Sequence, residues 1–407
     1  MAEAGTRARR LFALSPVLLL AACGGIIPPG QIAPRPPITR PVPPIVQPNA
    51  LAAGIAPGPA IASLGIGSSA ASAALRSFRE SCPRLVRRTD NSGLTLGADW
   101  KPACEAASAW PTGREPDFFA EHFETAQIAD GSSYVTGYYE PEIAGVRQRQ
   151  PGFDVPIYAA PPDLVRARPG DAAPNADGSM PLGRYDSSGR FVAYYDRGQI
   201  EDGALAGRGL EIAWAADPVE AFFLQVQGSG RLRAPDGSVI RVGFAAQNGW
   251  PYSGIGGLLR DRGVVGDGPG QYPGSMQGIM RYVRDHPAQG RALMRENRSF
   301  VFFREVVGGD PGGPAGALGV TVRPRVSLAA DPAFVPLGAP VWLAVDRGDV
   351  SGLWIAQDTG GAIKGANRFD SFWGTGSQAR LTAGGMATRG RALVLLPRGT
   401  LRRLGAR

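Results

Sequence analysis

The spacing of apolar residues divides the chain into helical and strand-like regions. Helical spacing dominates from 71 to 125, in ASAALRSFRESCPRLVRR, around DWKPACEAASAW and in PDFFAEHFETAQI. From 133 the spacing alternates as in a strand in SYVTGYYEPEI, and three more β-like segments follow, GLEIAWA, AFFLQVQGSGRLR and VIRVGFAAQNGW. The turn sequence PDGSV separates the last two segments, which predicts a hairpin between them.

The second half of the chain repeats this change of period. Residues 255–296 have helical spacing, and after 298 the pattern is β-like in SFVFFREV, GALGVTVRP, APVWLAVD, LWIAQD and RALVLLP. Short strands separated by turn residues, with few alternations of strand and helix, predict a mainly β fold with helical decoration that is organised as β-barrels.

A signal peptide is predicted over residues 1–22, because three arginines precede the apolar run LFALSPVLLLAA, which is too short to span a bilayer. The sequence LAAC followed by GG resembles a bacterial lipobox, so Cys23 is predicted to be lipidated; a free Cys23 after ordinary cleavage is the alternative. Residue 24 is glycine and not the aspartate of the inner-membrane retention signal. We therefore expect a lipid anchor at the periplasmic face of the outer membrane of a Gram-negative bacterium.

Proline, alanine and glycine dominate residues 23–75, which show no periodicity and are predicted to form a tether behind the anchor. The other two cysteines, Cys82 and Cys104, flank the turn residues RTDNSGL. Because the compartment beyond the membrane is oxidising, we expect them to form a disulfide, with a pair of inert thiols as the alternative.

Composition restricts the chemistry. The chain has a formal net charge of +8 but only two histidines, His122 and His286. The pattern places them on an aromatic helix face and at a helix end, so neither a zinc site nor a Ser-His-Asp triad is expected. Proton chemistry then falls to carboxylates, with no metal and no cofactor. The positive charge is almost entirely arginine, and we expect an anionic wall or membrane as the neighbour and no nucleic acid.

The densest chemical signal is LWIAQDTGGAIKGANRFDSFWGTG, residues 353–376. A strand leads Asp358 into a glycine turn, Lys364 follows, and Asp370 stands among aromatic residues. Desolvation by these aromatics is expected to raise the pKa of Asp370 and make it a general acid, whereas Asp358 in a more polar turn is expected to stay ionised. Two carboxylates in unlike surroundings are typical of glycoside cleavage; two turn-capping aspartates are the alternative.

Six segments, in this order, resemble the membrane-bound lytic murein transglycosylase A family: VTGYYEPEI, FFLQVQGSGRL, GFAAQNGWPYSGIG, SFVFFRE, SLAADPAFVPLGAPVWL and DTGGAIKGANRFDSFWGTG. The last two resemble its three-aspartate (3D) domain, whose aspartates would be Asp331, Asp358 and Asp370.

The resemblance implies a two-domain architecture. A double-psi β-barrel catalytic domain would comprise residues 76–142 and 244–400. A second β-barrel domain, residues 143–243, would be inserted into it and bind substrate, and a glycan strand of peptidoglycan would lie in the cleft between them.

The resemblance also implies the reaction. The family cleaves the β-1,4 bond between N-acetylmuramic acid and N-acetylglucosamine without water, and the muramic acid 6-hydroxyl closes a 1,6-anhydro ring. By motif position the catalytic residue is Asp370, acting first as acid and then as base. The alternatives are an inverting hydrolase that uses Asp370 and Asp358, and a non-catalytic peptidoglycan-binding lipoprotein. A wall-remodelling protein complex is expected as a further partner.

The remaining motif residues are predicted to line the cleft, because their hydroxyls, amides and aromatic faces suit sugar rings and N-acetyl groups. Gln225, Gln227 and Ser229 are predicted to alternate along one strand and point to one side. A structural hydrogen bond is the alternative role for each residue. The predicted substrate-binding residues are Thr136, Tyr138, Tyr139, Gln225, Gln227, Ser229, Gln247, Asn248, Asp358 and Lys364.

Overall fold

The computed structural model describes residues 47–175, 178–308 and 313–406. The predicted signal peptide, Cys23 and the first part of the predicted tether lie outside the described residues. Within the described ranges, no helix has the length and apolar character needed to cross a membrane.

Strands and helices are mixed along the described chain. The strands are β1 (Ile55–Pro57), β2 (Phe123–Ile128), β3 (Ser132–Glu140), β4 (Glu142–Val146), β5 (Val155–Tyr158), β6 (Val165–Arg166), β7 (Leu182–Tyr185), β8 (Phe191–Val192), β9 (Glu211–Ala215), β10 (Ser229–Arg233), β11 (Val239–Gln247), β12 (Val301–Glu305), β13 (Ser327–Ala330), β14 (Pro340–Val345), β15 (Gly352–Asp358), β16 (Arg368–Thr375) and β17 (Ala387–Pro397). The α-helices are α1 (Ala50–Ala53), α2 (Ser68–Leu85), α3 (Gly97–Ala109), α4 (Glu115–His122), α5 (Arg197–Gln199), α6 (Pro218–Gln227), α7 (Ile255–Asp261), α8 (Met276–Asp285), α9 (Pro287–Glu296), α10 (Gly376–Gly384) and α11 (Thr400–Arg403).

Six strands of the largest sheet close into a first barrel. Their order is β17-β14-β15-β13-β16-β3, and β17 also pairs with β3, so every strand has two neighbours. Side chains alternate along these strands, and Val135, Phe369 and Val394 therefore lie in the barrel core. Thr136 and Asp370 project from the opposite face, where they are only partly buried.

A second sheet forms a second barrel. Its order is β12-β11-β10-β4-β9-β5, and a parallel bridge between Ala159 and Phe303 joins its two ends. The predicted boundary at 243 falls inside β11, and β12 belongs to this sheet, because Val242 pairs with Glu305. The second barrel therefore extends to residue 305, and α7, α8 and α9 form an excursion between its last two strands.

The chain is folded well before the predicted end of the tether at residue 75. Ala50 is fully buried, Ile61 is nearly so, and Ile55 of β1 pairs with Ile128 of β2. Elements of three or four residues are too short to display a period, which is why sequence pattern alone assigned this region to the tether.

The hairpin at PDGSV is confirmed, since Arg233 of β10 pairs with Val239 of β11. The helical patterns between 255 and 296 are also confirmed. The predicted strand in GALGVTVRP is wrong, because only an isolated bridge between Ala315 and Thr321 occurs there. Helices account for 30% of the described residues and strands for 29%, so the fold combines a substantial amount of sheet with a similar amount of helix.

The segment AFFLQVQ is a helix, which makes the strand prediction for Gln225 and Gln227 wrong. Asp217 caps α6 by accepting hydrogen bonds from two backbone N–H groups of its first turn, Pro218 occupies the first helical position, and Gly228 ends the helix in a left-handed conformation. A short apolar run does not distinguish strand from helix, and these capping residues decide the outcome.

Cys82 of α2 and Cys104 of α3 are joined by a disulfide, as expected from the sequence. The two helices cover the first barrel, where Phe78 packs against Trp100 and Phe123. Both histidines have the expected structural surroundings: His122 packs against Trp110 and Phe118 at the end of α4, and His286 caps α8.

Candidate active site

The two predicted aspartates lie on strands that flank β13. Ala329 of β13 pairs with Asp358 of β15 on one side and with Asp370 of β16 on the other. Because neighbouring strands are about 4.8 Å apart, the two aspartates are separated by about 10 Å across the sheet. The fold thus brings together two carboxylates that the sequence separates by a glycine turn.

Asp370 is held by a short hydrogen-bonded chain. Its register partner on β3 is Thr136, whose Oγ1 donates to Asp370 Oδ1 at 2.7 Å. Arg368, two residues earlier on the same strand face, donates from Nη2 to Thr136 Oγ1 at 2.9 Å. Within the described residues no group donates to Asp370 Oδ2, so one carboxylate oxygen is oriented and the other is free.

Burial raises the pKa of Asp370 to about 6, because the charged form loses hydration. The hydrogen bond from Thr136 and the charge of Arg368 lower this pKa, and the charge of Asp358 raises it. The predicted elevation is confirmed, although its source is general desolvation at the sheet surface.

Asp358 is not the freely solvated turn residue that the sequence suggested. It ends β15, and its Oδ1 accepts hydrogen bonds from the backbone N–H groups of Ala317 and Thr359, both at 2.9 Å. The Tyr138 hydroxyl donates to its Oδ2 at 2.9 Å. Burial beneath the loop that carries Ala317 raises the pKa of Asp358, and these three donors oppose the rise. Asp358 is therefore more buried than the polar turn of the prediction, and its ionised state stays a prediction.

Asp331, the third aspartate of the motif, has a structural role. It is buried, and its carboxylate accepts hydrogen bonds from the backbone N–H groups of Ala333 and Gly365. The second of these bonds anchors the loop that follows Lys364. The Lys364 side chain itself is exposed.

The other predicted cleft residues divide into two groups. Tyr138 lies near the end of β3, and its hydroxyl donates to Asp358. Tyr139, the next residue, is buried against Ala379 and Ala383 of α10, and its backbone N–H donates to Gln227 Oε1 at 3.0 Å. Ser229 is the first residue of β10, directly after the turn that follows Gln227. Gln247 is partly exposed at the end of β11 and accepts a hydrogen bond from the Gly249 N–H.

Gln225 and Asn248 are buried in a polar hub away from the aspartates. Arg197 lies at its centre, and its guanidinium donates to Gln225 Oε1 and to the backbone oxygens of Asn297 and Ser299, at 2.7 to 2.9 Å. Asn248 Nδ2 donates to two backbone oxygens, and its Oδ1 accepts from the Phe300 N–H. Every polar group of the Asn248 amide is therefore engaged inside the protein.

Tyr252 is a cleft residue that sequence reasoning missed. Its Cβ lies 3.6 Å from where a side chain on Gly361 would begin, so it packs on the glycine turn after Asp358. Burial raises the pKa of Tyr252, the charge of Arg197 lowers it, and the charge of Asp370 raises it. The signal was present in GFAAQNGWPYSGIG, from which only the amides were selected.

The described ranges contain no group of three or more histidine, cysteine, aspartate or glutamate side chains arranged to hold a metal ion. Two partly buried carboxylates on one barrel face, one with its pKa raised to about 6, form a site that is suited to carboxylate acid–base chemistry.

Comparisons with known proteins place this enzyme in a family. The MltA specific insert domain matches residues 134–304, which ends with β12, and the 3D domain matches residues 326–396. The crystal structure of membrane-bound lytic murein transglycosylase from Agrobacterium tumefaciens matches with a TM-score of 0.73 and 30% identity, covering 86% of this chain and 99% of that chain. Membrane-bound lytic murein transglycosylase A of Escherichia coli K12 is 33% identical over 277 residues, 65% of this chain and 66% of that protein. A crystal structure of E. coli MltA with bound chitohexaose matches with a TM-score of 0.59 and 26% identity, covering 84% of this chain and 94% of that chain.

The chain belongs to the membrane-bound lytic murein transglycosylase A family.

Proposed function

We propose that Asp370 is the single acid–base catalyst of a lytic transglycosylase reaction on peptidoglycan. In the first step its proton passes to the glycosidic oxygen while the bond from that oxygen to the anomeric carbon of N-acetylmuramic acid breaks. In the second step the 6-hydroxyl oxygen of the same sugar bonds to the anomeric carbon, and its proton returns to Asp370. The products are a free 4-hydroxyl on N-acetylglucosamine and a 1,6-anhydro end, and the carboxyl group is regenerated.

The hydrogen bonding and the pKa of Asp370 support this proposal. Thr136 orients Oδ1, Oδ2 is free to reach the substrate, and the pKa is about 6. A group with this pKa releases a proton and takes it back near neutral pH at little cost, as one residue that serves as acid and then base must do.

The substrate assignment is supported by family membership and by the relative that binds chitohexaose, a linear amino-sugar chain. We propose that Thr136, Tyr138, Gln227, Ser229, Gln247 and Lys364 line the glycan path, joined by Tyr252. Gln225 and Asn248 are better explained as parts of the hub around Arg197, because their polar groups are already engaged.

Hydrolysis with Asp358 as the base is the competing reaction. Asp358 already accepts three hydrogen bonds, which occupy most of its acceptor capacity and favour a fixed, supporting role. Mass spectrometry of digested peptidoglycan separates the two reactions: the transglycosylase adds no water to its products, whereas a hydrolase adds one water at each cleavage. Products that carry the added water would overturn the proposal.

Replacement of Thr136 by valine should shift the pH dependence of the reaction. The Thr136 hydroxyl lowers the pKa of Asp370, so its removal raises that pKa further above about 6. Because the acid must be protonated, kcat/KM falls as pH rises through the pKa, and this decline should move to higher pH in Thr136→Val. We also expect a rate about tenfold lower at the optimum, since Oδ1 loses its orienting donor. Thr136→Ser keeps the hydroxyl and is the matched control; an unshifted pH profile in Thr136→Val would contradict the assigned role.

We further propose that the first barrel has double-psi topology, which its six-strand closure and the parallel pairs β3–β16 and β13–β15 support. We also propose that Cys23 carries the lipid anchor and holds the enzyme at the periplasmic face of the outer membrane. A wall-remodelling complex would be a further partner.

A further inference from the structure

A row of two arginines and one tyrosine lies next to the catalytic pair. Arg368 of β16 and Arg389 of β17 are both register partners of Tyr134 on β3, which lies between them. Their guanidinium carbons lie 5.0 and 4.9 Å from the centroid of the Tyr134 ring. The next row on the same face contains Asp370, Thr136 and Ala387. Two residues along a strand span about 7 Å, so this Arg-Tyr-Arg row lies within one sugar ring of the catalytic carboxyl group.

The positive charge of the row is only partly balanced by the protein, since the charge of Arg368 acts on the Asp370 carboxylate. Arg368 donates to Thr136 and to a backbone oxygen, and in the described ranges neither Arg368 nor Arg389 makes an ion pair. Arg391, two residues further along β17, has its guanidinium engaged by Gln127 and by the Asp130 carbonyl. Arg389 is exposed, its guanidinium lies over the Tyr134 ring, and within the described residues this guanidinium donates no hydrogen bond.

Two positively charged guanidinium groups beside one ring repel each other, and a bound anion reduces this repulsion. Guanidinium forks match carboxylates in shape and charge, and the ring between them offers an apolar surface. Of the two sugars in the proposed substrate, only muramic acid carries carboxyl groups. They are the lactyl carboxylate of a bare strand and the carboxylates of the stem peptide attached through that lactyl group.

We propose that the Arg-Tyr-Arg row binds a carboxylate carried by the muramic acid unit at the cleavage site. This inference rests on the proposed function, because it takes Asp370 to mark the position of the scissile bond. The row would make the enzyme discriminate muramic acid from N-acetylglucosamine at that position and would set the direction in which the strand lies along the barrel face.

The test measures equilibrium binding by full-length protein that carries Asp370→Asn, with and without Arg389→Gln. The probes are peptide-bearing glycan strands, strands stripped of peptides so that lactyl carboxylates are free, and chitohexaose, which has no carboxylate. We expect Arg389→Gln to weaken binding of carboxylate-bearing strands about tenfold, as for loss of one charge-assisted hydrogen bond, and to leave chitohexaose binding unchanged. Added salt should reduce the difference.

Comparison of the three probes identifies which carboxylate the Arg-Tyr-Arg row binds. Weakening with stripped strands alone assigns the lactyl carboxylate, weakening with peptide-bearing strands alone assigns the stem peptide, and weakening with both shows that the row accepts either carboxylate. Arg391→Gln removes the same charge from the same strand and face and should change none of the three affinities. Equal affinities with and without Arg389→Gln, an equal loss with chitohexaose, or the same loss in Arg391→Gln would overturn the proposal. Product analysis of the same samples tests separately whether Asp370 is the catalyst.

Discussion

An Asp370→Asn substitution is expected to leave a folded protein that releases anhydro products from purified sacculi about 10²–10⁴ times more slowly than the parent. The amide can still accept the hydrogen bond from Thr136 but has no proton to give to the glycosidic oxygen. No second carboxyl group can take over, because Asp358 lies about 10 Å away across β13 and is fixed by three donors.

The same substitution should stabilise the protein at neutral pH. The pKa of Asp370 is raised from 3.8 to about 6 in the folded state, so the folded state binds the proton more tightly than the unfolded state. Stability contributed by the parent carboxyl group is therefore present at low pH and is lost as pH rises through about 6. Asparagine does not ionise, and the thermal midpoint of Asp370→Asn should exceed that of the parent at pH 7 by more than it does at pH 4.

Asp267→Asn is the matched control, because it makes the same chemical change at an exposed aspartate. It should retain parental activity and show no pH-dependent gain in stability. Parental activity in Asp370→Asn would refute the assignment of the catalyst, and a midpoint below that of the parent at pH 7 would refute the desolvation of this site.

The proposed catalytic carboxyl group could be found from the sequence because its determinants are local. Asp370 stands in a run of aromatic residues, and a strand with such neighbours places alternate side chains on a semi-buried face. Thr136 could be selected only through the family motif, since the parallel register that puts it beside Asp370 joins strands more than two hundred residues apart in the chain.

The Arg-Tyr-Arg row could not be found in this way. It depends on three strands whose mutual register is a property of the closed barrel, and each of its residues is unremarkable in its own segment. The strand prediction for Gln225 and Gln227 failed for a different reason: the apolar pattern was given more weight than local capping by Asp217 and Gly228, which determines the helix. Chemistry that depends on sheet register, by contrast, has no signal among neighbours in sequence.

Arg197→Met should be the most destabilising single substitution in the second barrel. The guanidinium is 2% exposed, lies between the rings of Phe222 and Phe300, and donates to Gln225, Asn297 and Ser299. Methionine fills much of the same volume but leaves the backbone oxygens of Asn297 and Ser299 without this donor, and Gln225 Oε1 keeps only a 3.4 Å hydrogen bond from the Val301 N–H. We expect a loss of about 3–5 kcal/mol in the free energy of unfolding, measured by chemical denaturation.

The hub around Arg197 also connects separate segments of the second barrel. Arg197 starts α5, Gln225 lies on α6, and Asn297 and Ser299 lead into β12, so loss of the guanidinium releases three segments at once. Arg262→Met removes an exposed pair with Glu296 and should cost less than about 1 kcal/mol, which makes it the matched control. If Arg197→Met were no less stable than Arg262→Met, the hub around Arg197 would not stabilise the second barrel. If Arg197→Met loses the expected stability, its activity should fall in proportion to the folded fraction. The pH at which kcat/KM declines should not change, because the pKa of Asp370 determines it.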